Sequence, residues 1–367
     1  MKIEPYGETH VAEVKAFNRR MRDKGSDQRI AEHPIPEWLP PAASETLYQE
    51  YFVAVDKNGV HGGYILKHQC FWLDGEEVRT ADYRYPLSEG IIDSRYGMVG
   101  LLTVKNAMRR QPLAFGLGMG SRQAPVARLL KTVKWQMADC PFFFRICRPQ
   151  RFLRGVVHLR RSPWRRRALD LLAWTGVGSI GILAVQAARR SATDPDARGG
   201  TVHEFGPWAD ETWERAREEY RFIAVRTAHE LNRLYPKTDS RFHRILIRRK
   251  KDVVGWAVVL DTAMKDHKQF GNLRVGSIVD CLAIPGAEAA VVSATTNKLA
   301  RRGVDVIVTN QLHRSWCSAF RNNGYLSGPS NFIFTAAPKL AERLEPLSEN
   351  ASLVHMTRGD GDGPINL

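Results

Sequence analysis

The chain has 367 residues, of which 43% are hydrophobic and 25% charged, and its net charge is +15. This length predicts two domains, and this composition predicts a packed globular core, not a disordered or fibrous chain. Five scattered cysteines (Cys70, Cys140, Cys147, Cys281 and Cys317) without a CxxC pair suit neither a disulfide framework nor a zinc site, so a reducing cytoplasm and no metal are expected.

Residues 1–5 carry no apolar stretch and are not expected to form a signal peptide. Residues 52–56 and 60–67 read as two strands around a turn at residues 57–59. An apolar strand over 85–92 then leads into a helix over 99–110, a strand over 113–118, a helix over 124–133 and an aromatic strand over 141–146. Eight arginines follow between Arg148 and Arg167, concentrating the positive charge and predicting an anionic partner.

Residues 171–188 carry no charge and are bounded by Asp170 and Arg189. As one helix this stretch would be about 27 Å long, just short of a hydrocarbon core. It reads as a helix packed between domains, as an interfacial helix with its arginines reaching lipid headgroups, or as a membrane span. Residues 190–200 are a polar linker.

A second block repeats the first. It has strands at 245–249 and 253–260, an apolar strand at 276–284, a helix at 289–302, a strand at 304–309, a helix at 315–322 and an aromatic strand at 331–335. Gly62 corresponds to Gly255, and the first helix of each block ends in Arg-Arg. The expected fold is α/β, with two tandem mixed sheets carrying helices on both faces. The expected division is a first domain over 1–150, a basic and apolar helical linker over 151–200, and a second domain over 201–367. Parallel strands around a helix also predict a ligand crevice at their carboxyl ends.

These blocks, over roughly residues 45–147 and 240–336, resemble the GNAT superfamily of acyltransferases. Their tandem arrangement is similar to the Fem-type peptidoglycan aminoacyltransferases. The overall pattern around Glu50, Gly63 and Leu87 also resembles uncharacterised GNAT-like proteins associated with exopolysaccharide. The family's phosphate-binding loop is Arg/Gln-x-x-Gly-x-Gly/Ala, whose backbone N–H groups at a helix start bind the CoA pyrophosphate. Here the matching residues are Arg95, Tyr96, Gly97, Met98, Val99 and Gly100, with the first glycine one position early. The second block has no arginine there and puts Glu288 where a phosphate would sit. The resemblance therefore implies acetyl-CoA or another acyl-CoA as substrate, held by the first domain.

Amide formation from a thioester must remove a proton from the ammonium, stabilise an oxyanion and release a thiolate. Glu89 and Asp280 look like equivalent carboxylates in otherwise apolar strands, where burial would raise their pKa into a useful range. Each is a candidate general base or amine ligand. For Glu89 the alternative is a salt bridge to Arg79 or Arg84. Asn310, His313 and Trp316 are candidates for binding a polar acceptor such as a sugar, with helix capping and a core tryptophan as the alternative.

The expected function is acyl-CoA-dependent N-acylation of a small-molecule or glycan amine, such as an amino-sugar precursor of a surface polysaccharide. The alternatives are a Fem-type transferase using aminoacyl-tRNA and a non-catalytic scaffold. An anionic membrane surface is an expected partner through residues 148–190, at the inner face of the membrane. The tail from Arg358 holds only a fragment of a calcium loop and reads as flexible or docked.

Overall fold

The computed structural model describes residues 1–33, 38–42, 45–191, 194–330 and 332–361. The last residues of the tail, 362–367, and Asn331 of the second aromatic strand lie outside the described residues. The chain forms two compact units, each drawn from several stretches of sequence. The first comprises residues 1–139, 221–225 and 331–351, and the second comprises 140–220, 226–330 and 352–367.

The first unit holds an eight-stranded sheet. Its order is Lys2–Pro5, Tyr48–Asp56, Gly59–Leu73, Glu76–Ser88, Ala114–Leu117, Ile333–Ala336 and Gln136–Asp139, with Phe222–Ala224 pairing the end of Gly59–Leu73. Among the described residues, only Glu76–Ser88 and Ala114–Leu117 are parallel in this sheet. The hairpin turn is set by Asp56 Oδ1, which accepts from Asn58 N at 2.8 Å, and by Gly59, whose φ of +111° favours glycine. The helix Val99–Arg110 buries Val99, Thr103, Val104 and Ala107. Val104 and Ala107 join Leu130, Trp135 and Tyr83 in one core cluster. The helix Val11–Asp23 buries Val14, Phe17 and Met21 against Val53, Val60 and Leu87 in another. Both follow the three-to-four spacing of an amphipathic helix.

The second unit holds a seven-stranded sheet in the order Leu326–Gly328, Phe142–Ile146, Val306–Asn310, Arg274–Ala283, Asp252–Ala263, His243–Arg249 and Ala197–Val202. Here too a single pair, Arg274–Ala283 with Val306–Asn310, is parallel. The fold is therefore α/β with two mixed sheets, as the repeat predicts.

The contiguous division does not hold. The aromatic strand Phe142–Ile146, expected to close the first block, pairs with Val306–Asn310 in the second sheet. The strand Ile333–Ala336, expected to close the second block, pairs with Ala114–Leu117 in the first. An alternating strand pattern reports which faces are buried and carries no address for its partner.

The apolar stretch 171–188 is also not one helix. It is divided between Pro163–Trp174 and Val177–Ala188, which bend by 80° about Thr175 and Gly176, the latter at φ +76°. Among the described residues no single helix is long and apolar enough to cross a membrane.

The correspondence of Gly62 and Gly255 is structural. A Cβ on Gly62 would collide with the Leu87 carbonyl and lie 2.7 Å from Val99 Cγ1. A Cβ on Gly255 would collide with the Leu282 carbonyl and lie 2.6 Å from Val291 Cγ2. In each unit the end of the central strand presses onto the hairpin where a side chain is missing. Gly62→Ala and Gly255→Ala are each expected to destabilise the protein by about 1–3 kcal/mol through overpacking. Gly181→Ala is the control: it sits in the exposed helix Val177–Ala188 with open space at its Cβ. It should stabilise by about 0.5–1 kcal/mol. Denaturant midpoints for the three variants check both expectations.

Candidate functional site

In both units the parallel pairing stops early. Glu76–Ser88 pairs with its parallel neighbour only at Ala81 and Asp82. Arg274–Ala283 does so only from Val275 to Ser277. Beyond these points the strands part, leaving ladder groups at the carboxyl ends where open α/β sheets take ligands.

In the first unit the parted stretch contains a bulge. Ile65 pairs with Arg84 and Gly63 with Leu87, so two residues, Tyr85 and Pro86, lie opposite Tyr64. Tyr85 is exposed and has a φ of +45°, an unusual conformation for a tyrosine and typical of bulges beside sites. At the base of the parting Asp82 and Arg84 are buried with 3.6 Å between Oδ2 and Nε, and buried Lys67 stands opposite Asp82 in the ladder.

The predicted phosphate loop joins the central strand to the helix Val99–Arg110. It makes a short turn, Ser94–Tyr96, capped by Asp93. The N–H groups of Arg95, Tyr96 and Gly97 are used inside that turn, donating to Asp93 Oδ1, the Asp93 carbonyl and the Ser94 carbonyl. The helix start, at Met98, Val99 and Gly100, has no side-chain cap. Its first N–H groups have no intrahelical acceptor, an arrangement that suits an anion. The Arg95 guanidinium is exposed, and it lies 2.6 Å from Asp93 Oδ2 through Nη2 and 3.0 Å through Nε. A phosphate at the helix start would compete with Asp93 for it.

Glu89 does not lie in the strand. It follows Ser88 as the first residue of a short turn, Glu89–Ile91. Its partners are neither Arg79 nor Arg84 but Arg20 and His61, both missed by the sequence reading. Arg20 donates from Nε to Oε1 at 2.6 Å and from Nη2 to Oε2 at 2.8 Å. His61 Nδ1 is 2.6 Å from Oε2, and its Nε2 is 2.9 Å from Asp56 Oδ1. A neutral imidazole could donate to only one of these carboxylates. The His61 ring stacks on Tyr96, with 3.9 Å between centroids. Burial pushes the Glu89 pKa up, but the hydrogen bonds from Arg20 and His61 outweigh it and hold the carboxyl below its ordinary range. The expectation of a raised pKa is thus reversed. Arg20, His61, Glu89, Asp93, Arg95 and Tyr96 line one cleft of about 820 Å³.

Asp280 is not the equivalent of Glu89. Gly62 faces Ser88 and Gly255 faces Ala283, so the residue after Ser88 matches Ile284. Asp280 lies inside its strand, opposite Val258, and is fully buried. Arg226 Nε is 3.0 Å from its Oδ2, which also accepts from Tyr235 Oη at 2.8 Å. Arg226 Nη2 lies 2.5 Å from Asp360, and Thr357 Oγ1 donates to Asp280 at 3.3 Å. Burial pushes Asp280 up to about 6, with Arg226 opposing the shift and Asp360 adding to it.

This cluster fixes the docked part of the tail. Gly359 N donates to the Val279 carbonyl at 2.9 Å, in the stretch the parallel neighbour has left. His355 is 3.5 Å from Gln311, just beyond that neighbour's end, and packs edge-on to Trp316. In the second unit the chain's own segment therefore lies between the two parted strands.

The structure buries all three of Asn310, His313 and Trp316; His313 and Trp316 both meet Tyr220, whereas Asn310 donates to the Pro141 carbonyl and Ser330. Trp316 Nε1 donates to Tyr220 Oη at 3.0 Å and offers no open face for a sugar. Burial pushes His313 down to about 4. Near them a separate cleft of about 450 Å³ is lined by Gly286, Glu288, Arg314, Ser315 and Ser318. Burial raises the pKa of Glu288 at the start of the helix Glu288–Arg301.

Two stability measurements follow. Because the folded pKa of Glu89 is depressed, its contribution is present above the ordinary carboxylate pKa and is lost as pH falls through the folded value. Glu89→Gln should cost about 1–3 kcal/mol near neutrality, and the deficit should shrink in acid, as read from denaturation at several pH values. Arg226→Met leaves two buried carboxylates without their cation and should cost about 3–5 kcal/mol. That deficit should also narrow as pH falls, because the Asp280 carboxyl, already pushed up by burial, becomes able to protonate.

No family model matches the sequence, and no curated protein matches it. Solved structures match it in fold. One is a GCN5-related N-acetyltransferase from Anabaena variabilis, 11% identical with a TM-score of 0.50, over 80% of this chain and 64% of that one. The present chain thus spans just under two thirds of that protein's length. Another is an Enterococcus faecalis protein described as a probable N-acyltransferase, 8% identical with a TM-score of 0.52, over 94% of this chain and 74% of that one. A third is the Saccharomyces cerevisiae N-myristoyltransferase with bound myristoyl-CoA, 11% identical with a TM-score of 0.51, over 91% and 78%. What is shared at these identities is the architecture: the chain has the fold of the GNAT N-acyltransferases.

Proposed function

We propose that this protein is an acyl-CoA-dependent N-acyltransferase whose thioester donor lies in the first unit. The observation that carries the reading is the contrast between the two parted strand pairs. The second is occupied by the segment around His355–Asp360, whereas the first continues into an uncapped helix start at residues 98–100. An extended donor chain would take up ladder groups of the parted strands as an added strand does, with its phosphates at the helix start.

Glu89, held ionised by Arg20 and His61, faces the cleft at the end of the central strand. Three hydrogen bonds use three of about four acceptor positions on the carboxylate, leaving one for an ammonium. The carboxylate holds the amine by charge. It takes a proton from the ammonium and passes it to solvent, freeing the nitrogen lone pair to attack the thioester carbonyl; as the C–S bond breaks, a second proton leaves the now acidic nitrogen for the departing thiolate, which is released as CoA. The acceptor class proposed is an amine on a sugar or similar polar precursor of a surface polysaccharide.

Isothermal titration with acetyl-CoA and with myristoyl-CoA tests the donor, and no heat at millimolar ligand would sink the reading. Arg95→Ala should weaken donor binding by about 1.5–3 kcal/mol. Glu89→Gln should lower turnover by about 10²–10⁴ with donor affinity little changed, and a folded Glu89→Gln protein with full turnover removes Glu89 from the chemistry. The second reading, a non-catalytic scaffold, is favoured by the pairing of Arg95 with Asp93. It predicts no turnover with any acyl donor and no bound donor.

A further inference from the structure

The helix Val177–Ala188 is inside out. Its one buried side chain is polar: Gln186 donates to the Ile146 carbonyl at 3.0 Å and accepts from the Ile146 N–H at 2.8 Å. Four of its large apolar side chains face outward, with Ile180 69% and Val177 61% exposed and Leu183 and Val185 beside them, while Ile182 packs partly buried against the core. The preceding helix, Pro163–Trp174, buries only Ala173, and leaves Trp174 77% and Trp164 67% exposed together with Leu171 and Leu172. A water-facing helix is expected to show the reverse pattern, and a contiguous exposed apolar ridge of this kind marks an interaction surface.

The charges around the ridge name the partner. Arg160, Arg161, Arg165, Arg166 and Arg167 stand at one end, and Arg189 and Arg190 at the other. The only acid in this stretch is Asp170, and Arg160 holds it at 2.6 Å. Apolar side chains with tryptophans at their border and arginines beyond match the layers of a bilayer surface: acyl chains, interface and anionic headgroups. A second copy of this chain would set like charges against each other across a two-fold contact. RNA would satisfy the arginines but leave Ile180, Leu183 and Val185 in water. Each arm has 12 residues, or about 18 Å as a helix, and the 80° bend prevents the pair from acting as one rod. The geometry suits lying in the interface, not crossing it.

We infer that the bent helix pair Pro163–Ala188 docks this protein on an anionic lipid bilayer, with the Val177–Ala188 arm buried shallowly and the arginines on headgroup phosphates. The test uses the full chain in flotation with vesicles of phosphatidylcholine alone and of phosphatidylcholine with about a quarter phosphatidylglycerol. Wild-type protein should float with the anionic vesicles, less so as salt is raised, and its tryptophan emission should shift to the blue.

Arg165→Gln/Arg166→Gln/Arg167→Gln should weaken binding by roughly 100-fold, about five-fold per arginine. Ile180→Glu/Leu183→Glu should abolish it at any salt. All these side chains are on the surface, and circular dichroism checks that the variants remain folded. Wild-type protein that stays out of the anionic vesicle fraction overturns the proposal. So does binding that both variants retain, or a concentration-dependent dimer that disappears in Ile180→Glu/Leu183→Glu while no vesicle binding is seen.

Discussion

The parallel pairing in the first sheet ends at Asp82 because the central strand is pulled elsewhere. The bulge at Tyr85 and Pro86 turns the strand, and the missing side chain at Gly62 lets the Leu87 carbonyl settle onto the hairpin. The strand end moves toward its antiparallel neighbour and away from its parallel one. The second sheet repeats the arrangement with a bulge at Val279 and the Leu282 carbonyl over Gly255. A backbone contact that only glycine permits thus opens a gap on the opposite side of the same strand.

Such a gap exposes ladder groups that need partners. The second unit meets the need internally. A buried guanidinium, Arg226, joins Asp280 on the strand to Asp360 on the docked segment, and Tyr235 and Thr357 satisfy further acceptor positions. Paired buried charges of this kind add little net stability compared with apolar packing, yet they cost heavily when one partner is removed. They are suited to holding a segment in a single register. The first unit also buries charges, with Asp82, Arg84 and Lys67 at the base of its parting, and it gathers Glu89, Arg20 and His61 at a cleft.

Local pattern was enough to place most elements. The helix expected over 99–110 is observed as Val99–Arg110, and that expected over 289–302 as Glu288–Arg301. The glycine correspondence survives because one steric requirement governs both positions. What was not legible depends on contacts distant in sequence. Arg20 is far from Glu89 along the chain, and nothing around either residue announces the other. His61 stands beside two glycines in an apolar strand, and its polarity there was the one available signal. Trp316 read as a stacking platform because an aromatic followed by polar residues looks alike whether its face is open or, as here, covered by Tyr220 and His355. The break at Gly176 was visible in composition, but an uncharged run favours one helix until a positive φ interrupts it.

The crossed strands carry a consequence for how the chain is made. Ile333–Ala336 lies inside the first sheet, between Ala114–Leu117 and Gln136–Asp139. During synthesis Ala114–Leu117 and Gln136–Asp139 therefore emerge with strand edges that only Ile333–Ala336, far along the chain, can close. At ordinary elongation speeds of about 5–20 residues per second, the wait is on the order of ten seconds or more. Over that interval the growing chain presents unpaired edges. Vectorial folding, one half completed before the next begins, is not available to this topology.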